Sequence, residues 1–321
     1  MTQHVVLLPL IIFHVLAARL PGPPRFLNAE TEDLACSVAF SPDGKTLAIG
    51  FHESIQLWET AIWKRRAVIP YPGTHLAFAS DGRALAATSS GRALAEPSVN
   101  DEVLVLNLQN EQVRARCAPL RGQINALAIS PNGRTVAIGD ERGFGLWDTR
   151  SPTATVASPA NTKRIEAVAF APDGKQIATG DSRGQIALWA TDRPRMLRIV
   201  GKHNNYVNSL AFSADGSLLF SGGQDSTVRL WDLASGKQRL RIDINDPKGI
   251  FRLALSPDAR TIASASTQGI VALWNTNTGQ PTFLLRDPDA HARSVAFSPT
   301  GDLIAVGVRR GVHIWKIHTR K

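Results

Sequence analysis

Cysteine is scarce in this 321-residue chain, which contains only Cys36 and Cys117. Two cysteines cannot supply a disulfide-rich scaffold, and the closely spaced Cys or Cys/His sets that hold structural zinc are absent. We therefore interpret both residues as free thiols. The chain also lacks an HExxH motif, a P-loop and a dinucleotide-binding fingerprint. These absences argue against metalloproteases and nucleotide-binding enzymes, and we expect neither a cofactor nor a metal.

Long runs of like charge are missing too, although the chain is basic. The net charge is +9 and the isoelectric point about 10.1, yet the longest basic run is KRR at residues 64–66. A basic balance favours an acidic partner, such as nucleic acid, an anionic membrane or an acidic protein. The alternative is a basic but ordinary solvated surface, and charge alone does not choose between them.

The longest apolar stretch, VVLLPLIIFHVLAA at residues 5–18, is interrupted by Pro9 and His14. It falls short of the roughly 20 residues that span a bilayer, and its length suits a signal-peptide core, although MTQH provides no basic leader. Three interpretations stay open: a cleaved signal peptide, a retained extension and a membrane tether. The protein would be exported in the first case and cytoplasmic if residues 1–20 are retained. We assign residues 1–24, ending in the stiff spacer PGPP, to this N-terminal segment.

In contrast to these scarce features, one sequence motif is repeated many times. SVAFSPDG at residues 37–44 recurs in modified form in units that begin at residues 75, 126, 167, 209, 252 and 294. The interval is close to 40 residues except between the units at 75 and 126, where the polar segment GRALAEPSVN (91–100) predicts a loop. Self-similarity at this period indicates that one supersecondary unit is stacked seven times.

Each unit reads as four short strands. An apolar strand, a turn of the PDG type, a second strand and a third strand ending in LW are followed by a more polar fourth strand. One such sheet cannot cover both of its faces, so seven must pack radially. The sequence predicts an all-β, seven-bladed β-propeller of four-stranded antiparallel blades over residues 25–321. The last unit has only three strands, and we expect RFLN (25–28) to complete its blade.

These in-register units resemble the WD-repeat β-propeller family from about residue 25 to 317. Trp147-Asp148 and Trp231-Asp232 carry the resemblance most fully, and the second unit departs from it with Leu106-Asn107. The resemblance implies a blade-core tryptophan in most units. The remaining matches are Trp58-Glu59, Trp189-Ala190, Trp274-Asn275 and Trp315-Lys316.

The fifth unit also resembles the family in a hydrogen-bonded structural tetrad, formed by His203, Ser221, Asp225 and Trp231. The alternative is that His203 and Asp225 are a catalytic pair. In other units the position of Asp225 is taken by His52, Glu141, Arg183, Gln268 and Arg309. We therefore expect the tetrad to be intact in the fifth blade alone, and the other blades to depend more on packing.

Function is predicted on the face where the loops between fourth and first strands, and between second and third strands, open together. Around each first strand a buried position is flanked by two exposed ones, and aromatic and arginine side chains there are typical of interface anchors. We predict a non-enzymatic, monomeric scaffold that binds protein or peptide partners on this face. The predicted partner-binding residues are Arg164, Glu166, Tyr206, Asn208, Phe251, His291 and Arg293. The alternative is that these are ordinary loop residues in scattered orientations.

Two other functions stay open. The chain could be a propeller enzyme of the hydrolase or lactonase type, with acidic residues and histidines near the axis. Separately, His52, His75 and His291 fall in turns or at first-strand starts and would form an axial metal site if their side chains met from three different blades. The rim could instead bind nucleic acid or an anionic surface without sequence preference, although aromatic stacking groups are not interleaved with its charges. Rim arginines predicted in or beside fourth strands are Arg65, Arg66, Arg114, Arg116, Arg195, Arg198, Arg239 and Arg241.

Overall fold

The computed structural model consists of β-strands joined by turns. It describes residues 23–89, 101–117, 122–151, 153–156, 163–244, 246, 249–266, 270–286 and 292–317. Within these ranges there are 28 strands and no helix, and accordingly none of the described segments is a helix long and apolar enough to cross a membrane. The all-β prediction is confirmed.

The strands form seven blades, numbered here along the chain. Blade 1 comprises β2 (Ser37–Phe40), β3 (Thr46–Gly50), β4 (Ile55–Glu59) and β5 (Lys64–Ile69). Blade 2 comprises β6 (His75–Phe78), β7 (Ala84–Thr88), β8 (Val103–Asn107) and β9 (Gln112–Cys117). Blade 3 comprises β10 (Ile124–Ile129), β11 (Thr135–Asp140), β12 (Gly143–Asp148) and β13 (Thr155–Val156).

Blade 4 comprises β14 (Ile165–Phe170), β15 (Gln176–Asp181), β16 (Gln185–Ala190) and β17 (Arg195–Lys202). Blade 5 comprises β18 (Val207–Phe212), β19 (Leu218–Gly223), β20 (Thr227–Asp232) and β21 (Lys237–Asp243). Blade 6 comprises β22 (Ile250–Leu255), β23 (Thr261–Ser266), β24 (Ile270–Asn275) and β25 (Pro281–Arg286). Blade 7 comprises β26 (Ser294–Phe297), β27 (Leu303–Val308), β28 (Gly311–Lys316) and β1 (Arg25–Asn28).

Every blade is a four-stranded antiparallel sheet. In blades 1 to 6 the strands follow one another in chain order, and in blade 7 the N-terminal strand β1 takes the fourth position. The seven-bladed prediction is therefore confirmed. The fourth strand of blade 3 is the shortest of the described strands. It pairs only through Thr155 and Val156, opposite Leu146 and Gly145, and residues 157–158 lie outside the described ranges.

The N-terminal strand closes the ring. In blade 7, β1 pairs antiparallel with β28, with Arg25 opposite Ile314 and Asn28 opposite Gly311. The Ala29 amide then donates to the Arg310 carbonyl at 2.9 Å. The predicted completion of the last blade by residues 25–28 is confirmed, and it joins the two ends of the chain. The proposed boundary at residue 24 stays a prediction, because residues 1–22 lie outside the described part of the chain.

The repeated SPDG phrase folds into a self-contained turn between the first and second strands. In blade 1, Ser41 Oγ donates to Asp43 Oδ1 at 2.6 Å, and the Lys45 amide donates to the same oxygen at 3.0 Å. Gly44 then adopts a φ of 70°, in the left-handed region that glycine accepts without strain. The same serine-to-aspartate bond recurs at 2.6 Å in blades 5 and 6. This local chemistry explains why the phrase is repeated.

The hydrophobic core lies between neighbouring blades. Trp231 of blade 5 packs with Ala178 and Leu188 of blade 4, and the rings of Trp189 and Phe144 meet edge-on across blades 4 and 3 with centroids 4.9 Å apart. All five tryptophans predicted as blade-core residues are buried, namely Trp58, Trp147, Trp189, Trp274 and Trp315. In blade 2, Leu106 takes this role and packs against Ala48 and Leu57 of blade 1.

Candidate functional site

A β-bulge lies near the start of the first strand in several blades. In blades 3 to 6 the ladder between first and second strands skips one residue, which is Asn125, Glu166, Asn208 or Phe251. A bulge turns the extra residue away from the regular pleat and is frequent beside functional sites. The preceding residue stays in the core, since Ile124, Ile165, Val207 and Ile250 are buried. The predicted buried position is therefore confirmed in these blades, whereas Gly249, which precedes Ile250 and was expected to be exposed, is buried.

These bulges surround a pocket to which all seven blades contribute, and which we call the axial pocket. Its volume is about 180 Å³. The lining residues are Cys36 and His52, Thr74 and His75, Gln123, Ile124 and Asn125, Arg164 and Glu166, Asn208, Phe251 and Arg252, and Arg293. Because each blade supplies at least one of them, the pocket exists only when the ring is closed.

One ion pair braces the wall contributed by blade 4. Arg164 Nε lies 2.7 Å from Glu166 Oε1, and Arg164 Nη2 donates to Asn125 Oδ1 of blade 3 at 3.3 Å. Only a tenth of the Glu166 side chain is exposed. A pair this sheltered is screened less than a surface pair, so Arg164 and Glu166 largely neutralise each other in the pocket.

Two further arginines line the pocket without such a partner. Neither Arg252 nor Arg293 forms an ion pair or a side-chain hydrogen bond with any described residue. The Arg252 guanidinium carbon lies 5.9 Å from the centre of the Phe251 ring. Burial lowers the pKa of Arg252 from its usual value, while the charge of Glu166 opposes that shift. The pocket therefore carries more positive than negative charge.

His75 is the pocket's neutral member. Burial, together with the charge of Arg252, lowers the pKa of His75 to about 3, although a backbone hydrogen bond to Asn125 opposes the shift. Its Nδ1 lies 3.1 Å from Thr88 Oγ1. At neutral pH the imidazole is uncharged, so it contributes hydrogen-bonding capacity to the pocket but no charge.

Cys36, His52 and Asp33 form a linked group at the mouth of the pocket. Cys36 Sγ lies 3.5 Å from His52 Nε2, and His52 Nδ1 lies 2.8 Å from Asp33 Oδ1. This order of groups is that of a nucleophile, a base and an orienting acid. However, burial, with Asp33 nearby, raises the pKa of the Cys36 thiol to about 11. The thiol is therefore protonated at neutral pH and is a poor nucleophile.

A second catalytic pattern was overlooked in the sequence. Residues 180–184 read GDSRG, which matches the GxSxG pattern of α/β-hydrolases. That pattern places its serine on a sharp turn from a strand into a helix. Here Ser182 lies in the turn between β15 and β16, and its amide donates to the Arg164 carbonyl at 2.9 Å. The match therefore lacks the strand-to-helix setting in which a nucleophilic serine works.

The hypothesis of an axial metal site gains no support from geometry. His52 and His75 both line the axial pocket, but His291, the third histidine of that hypothesis, lies outside the described residues. Across the described part of the chain, no group of three or more His, Cys, Asp or Glu side chains is placed to hold a metal ion.

The predicted partner-binding residues fall into three groups. Arg164, Glu166, Asn208, Phe251 and Arg293 all line the axial pocket. Tyr206 does not line it, but 41% of its surface is exposed beside the same strand ends. His291 lies outside the described residues. Sequence reasoning missed Arg252 as a pocket residue because it treated the first strands as regular and did not foresee the bulge that precedes it.

The tetrad residues of blade 5 form one hydrogen-bonded chain. Trp231 Nε1 donates to Ser221 Oγ at 2.8 Å, Ser221 Oγ lies 2.7 Å from His203 Nε2, and His203 Nδ1 lies 2.8 Å from Asp225 Oδ1. Sequence reasoning missed Arg229, whose Nη2 lies 3.0 Å from Asp225 Oδ2. The His203 side chain is fully buried, so it cannot reach a substrate in solution.

Parts of this network recur elsewhere. Trp189 and Trp274 donate to Thr179 and Ser264, which stand where Ser221 stands in blade 5, both at 2.9 Å. Trp58 donates instead to Gln56 Oε1 at 3.1 Å. The indole N–H thus finds a different acceptor in blade 1, where Ile49 stands in place of Ser221.

The outer rim is less positive than its arginine content suggests. Arg65, Arg66, Arg116, Arg239 and Arg241 each lie within 3.0 Å of a carboxylate oxygen. Arg198 donates to the Leu233 carbonyl. Of the eight predicted rim arginines, Arg114 and Arg195 alone form no ion pair or side-chain hydrogen bond with a described residue. Pairing of this kind weakens the field that would attract a phosphate backbone.

Comparison with known proteins identifies the repeats. The family model for the WD domain, G-beta repeat (WD40), matches residues 151–190, 195–232 and 239–275. The second and third matches each begin in the fourth strand of one blade and end at the third strand of the next. The small ribosomal subunit protein RACK1 of Candida albicans (strain SC5314 / ATCC MYA-2876) is 32% identical over 68 residues, which is 21% of this chain. The match spans 21% of that relative, about a fifth of its length.

Proposed function

As the chain is a WD-repeat β-propeller, we propose that it is a non-enzymatic scaffold that binds a protein or peptide partner on the face bearing the axial pocket. The observation that carries this proposal is the convergence of all seven blades on one pocket. The blades form a rigid support, so the loops and bulges can present binding side chains at fixed positions.

Exposed aromatic side chains support the choice of face. Tyr206 is 41% exposed and Phe251 is 37% exposed, and both belong to first-strand ends of neighbouring blades. Aromatic residues next to arginines are enriched where binding energy concentrates in interfaces. Phe251 lines the pocket with Arg252 and Arg293, so this part of the face combines an apolar anchor with cations.

The groups that could support catalysis are placed unfavourably for it. The Cys36 thiol is protonated at neutral pH, because burial raises its pKa to about 11. The His203 and Asp225 pair is buried within blade 5, and Ser182 lies in a turn between strands. These placements favour a binding role over a hydrolase for the described part of the chain.

The test compares partners captured by three forms of the full chain. The Tyr206→Ala/Phe251→Ala variant should lose partners that the wild type retains, because two exposed anchors of the face are removed. The matched control is Met196→Ala/Ile199→Ala, which removes two apolar side chains of the outer strand β17 that are 48% and 55% exposed. The control should retain the wild-type partners. Identical partner sets for all three forms would contradict the proposed face.

A further inference from the structure

The arginines of this molecule differ in whether a carboxylate neutralises them. On the rim, Arg65, Arg66 and Arg116 each face a glutamate at 2.7 to 3.0 Å. In the axial pocket, Arg164 is paired with Glu166, but Arg252 and Arg293 have no carboxylate partner among the described residues. The described residues therefore leave two arginines of the axial pocket without a counter-charge, whereas the buried Arg229 has Asp225 at 3.0 Å.

That arrangement is costly for the free protein. Arginine is rarely buried unless it is paired, because removing a charge from water is unfavourable. Burial lowers the pKa of Arg252, which is the sign of that cost. The nearby Glu166 forms an ion pair with Arg164 at 2.7 Å, so its charge does not fully neutralise Arg252.

The pocket's charge and shape define what would satisfy these groups. Three arginines and one glutamate line it, and His75 is neutral because its pKa is lowered to about 3 by burial and by Arg252. A guanidinium carries five donors in a planar fork that matches carboxylate and phosphate oxygens. A cavity of about 150 Å³ is large enough for a benzene molecule, so about 180 Å³ accommodates the end of one acidic side chain.

We propose that the axial pocket is a receptor for a single anionic group, a carboxylate or a phosphate on the docked partner, which Arg252 and Arg293 bind. The inference rests on the proposed function, since it assigns the chemistry of a group that the same face would bind. Phe251 contacts the apolar part of the segment that carries the anion, and His75 offers a neutral hydrogen-bonding group at the pocket wall.

The first experiment measures binding of inorganic phosphate and of acetate to the full chain by calorimetry at constant ionic strength. Arg252→Gln and Arg293→Gln should each weaken the binding of these probes about tenfold or more, because a hydrogen bond to a charged group is lost. The matched control is Arg114→Gln, which removes the same charge from an exposed rim position in β9. It should bind as the wild type does. Equal binding by wild type and Arg252→Gln, or equal loss in the rim variant, would overturn the proposal.

Two readouts separate a binding role from a structural one. Arg252→Gln should leave the melting temperature of the ligand-free chain unchanged or higher, since it removes a charge without a partner. In the wild type, saturating phosphate should raise the pKa of His75 observed by NMR, because the bound anion offsets the charge of Arg252. A lower melting temperature in Arg252→Gln, together with an unmoved His75 pKa, would indicate that Arg252 is a structural residue.

Two capped amino acids distinguish the sources of the anion. N-acetylglutamate amide represents an acidic side chain, and N-acetylphosphoserine amide represents a phosphorylated one. Preference for either probe, lost in Arg252→Gln, supports the proposal and names the source, whereas binding of neither overturns it. If the Tyr206→Ala/Phe251→Ala variant still loses partners when neither anion binds, the docking face stands and the anion receptor alone fails.

Discussion

Blade 5 and blade 1 each hold a histidine–aspartate pair, but in opposite order and in different surroundings. In blade 5 the histidine, His203, precedes the first strand and Asp225 follows the second, with 2.8 Å between Nδ1 and Oδ1. In blade 1 the acid, Asp33, precedes the first strand and His52 follows the second, again at 2.8 Å. The side chains are 0% and 8% exposed in blade 5, against 32% and 28% in blade 1.

The difference shows that burial and additional partners, rather than the pair itself, decide what the pair does. Asp225 also accepts from the Asn204 amide and from Thr227 and Arg229, at 2.8 to 3.0 Å. The buried pair thereby joins a network that holds one blade together. The pair of blade 1 is about one third exposed, and His52 contacts Cys36 in the pocket wall. This pair therefore contributes to a surface.

The largest expected effect is in the tryptophan of blade 5. Trp231→Ala should lower the free energy of unfolding by about 3–5 kcal/mol, because it leaves a cavity between blades 4 and 5 and removes the donor to Ser221. Urea denaturation measures the loss. The control is Trp63→Ala in the turn of blade 1, where the ring is only partly buried, and its loss should be clearly smaller. Equal losses would contradict the importance of the blade 5 network.

The aspartates of the two pairs provide the next test. Asp225→Asn should cost about 3 kcal/mol, because it leaves Arg229 as an uncompensated buried charge. Asp33→Asn should cost less than about 1 kcal/mol, as expected for a partly solvated pair. Chemical denaturation of both variants at pH 7 compares them directly. A larger loss in the blade 1 variant would reverse the comparison.

The pH dependence of stability should follow the buried pair. Burial lowers the pKa of His203, although Asp225 partly opposes this, and the hydrogen bonds from His203 and Asn204 hold the pKa of Asp225 well below its usual value despite burial. Both groups bind protons more readily in the unfolded chain. Stability is therefore lost as pH falls, below about 6.5 for His203 and below about 4 for Asp225.

We expect the wild type to lose about 1–3 kcal/mol between pH 7 and pH 4. His203→Gln should flatten the upper part of this profile, and Asp33→Asn should leave that part unchanged. Unfolding free energies measured at several pH values test both statements, and an unaltered profile in His203→Gln would show that this histidine is not the group responsible.

The smallest effect is expected at Cys36 and concerns reactivity. In a Cys117→Ser background, the rate of Cys36 alkylation by iodoacetamide should rise about tenfold per pH unit from pH 7 to 10, because the thiol titrates near pH 11. Mass spectrometry of the labelled peptide measures the rate. His52→Ala should change this pH profile little. A rate that levels off by pH 8 would show that the blade 1 pair activates the thiol.

Much of the fold was predictable because its information is local and repeated. The turns that follow Ser41, Ser213 and Ser256 form from hydrogen bonds between residues two positions apart. The repeated motif therefore predicts this turn directly. Closure by residues 25–28 was predictable for a related reason. A seventh unit with three strands leaves an unpaired edge, and an unassigned strand satisfies it.

The site was less predictable, because its contacts join distant parts of the chain. The predicted partner-binding residues did include Phe251 and Arg293, since first-strand ends converge in any such ring. It missed Arg252, which occupies a position that is serine in blades 1, 5 and 7. It also missed the blade 1 pair, because His52 was considered only as the residue at the Asp225 position, whereas the acid and the histidine occur in reverse order in blade 1.

The amino-acid sequence by itself determined the number of blades, the strand order and the joining of the chain ends, because period, turn chemistry and unpaired edges are properties of neighbouring residues. Only the tertiary structure decided which charges are paired. The charge of Arg252 in blade 6 lowers the pKa of His75 in blade 2, and Glu166, at a bulge, pairs with Arg164. Electrostatic interactions depend on distance in space and on burial, and neither quantity is fixed until the ring closes.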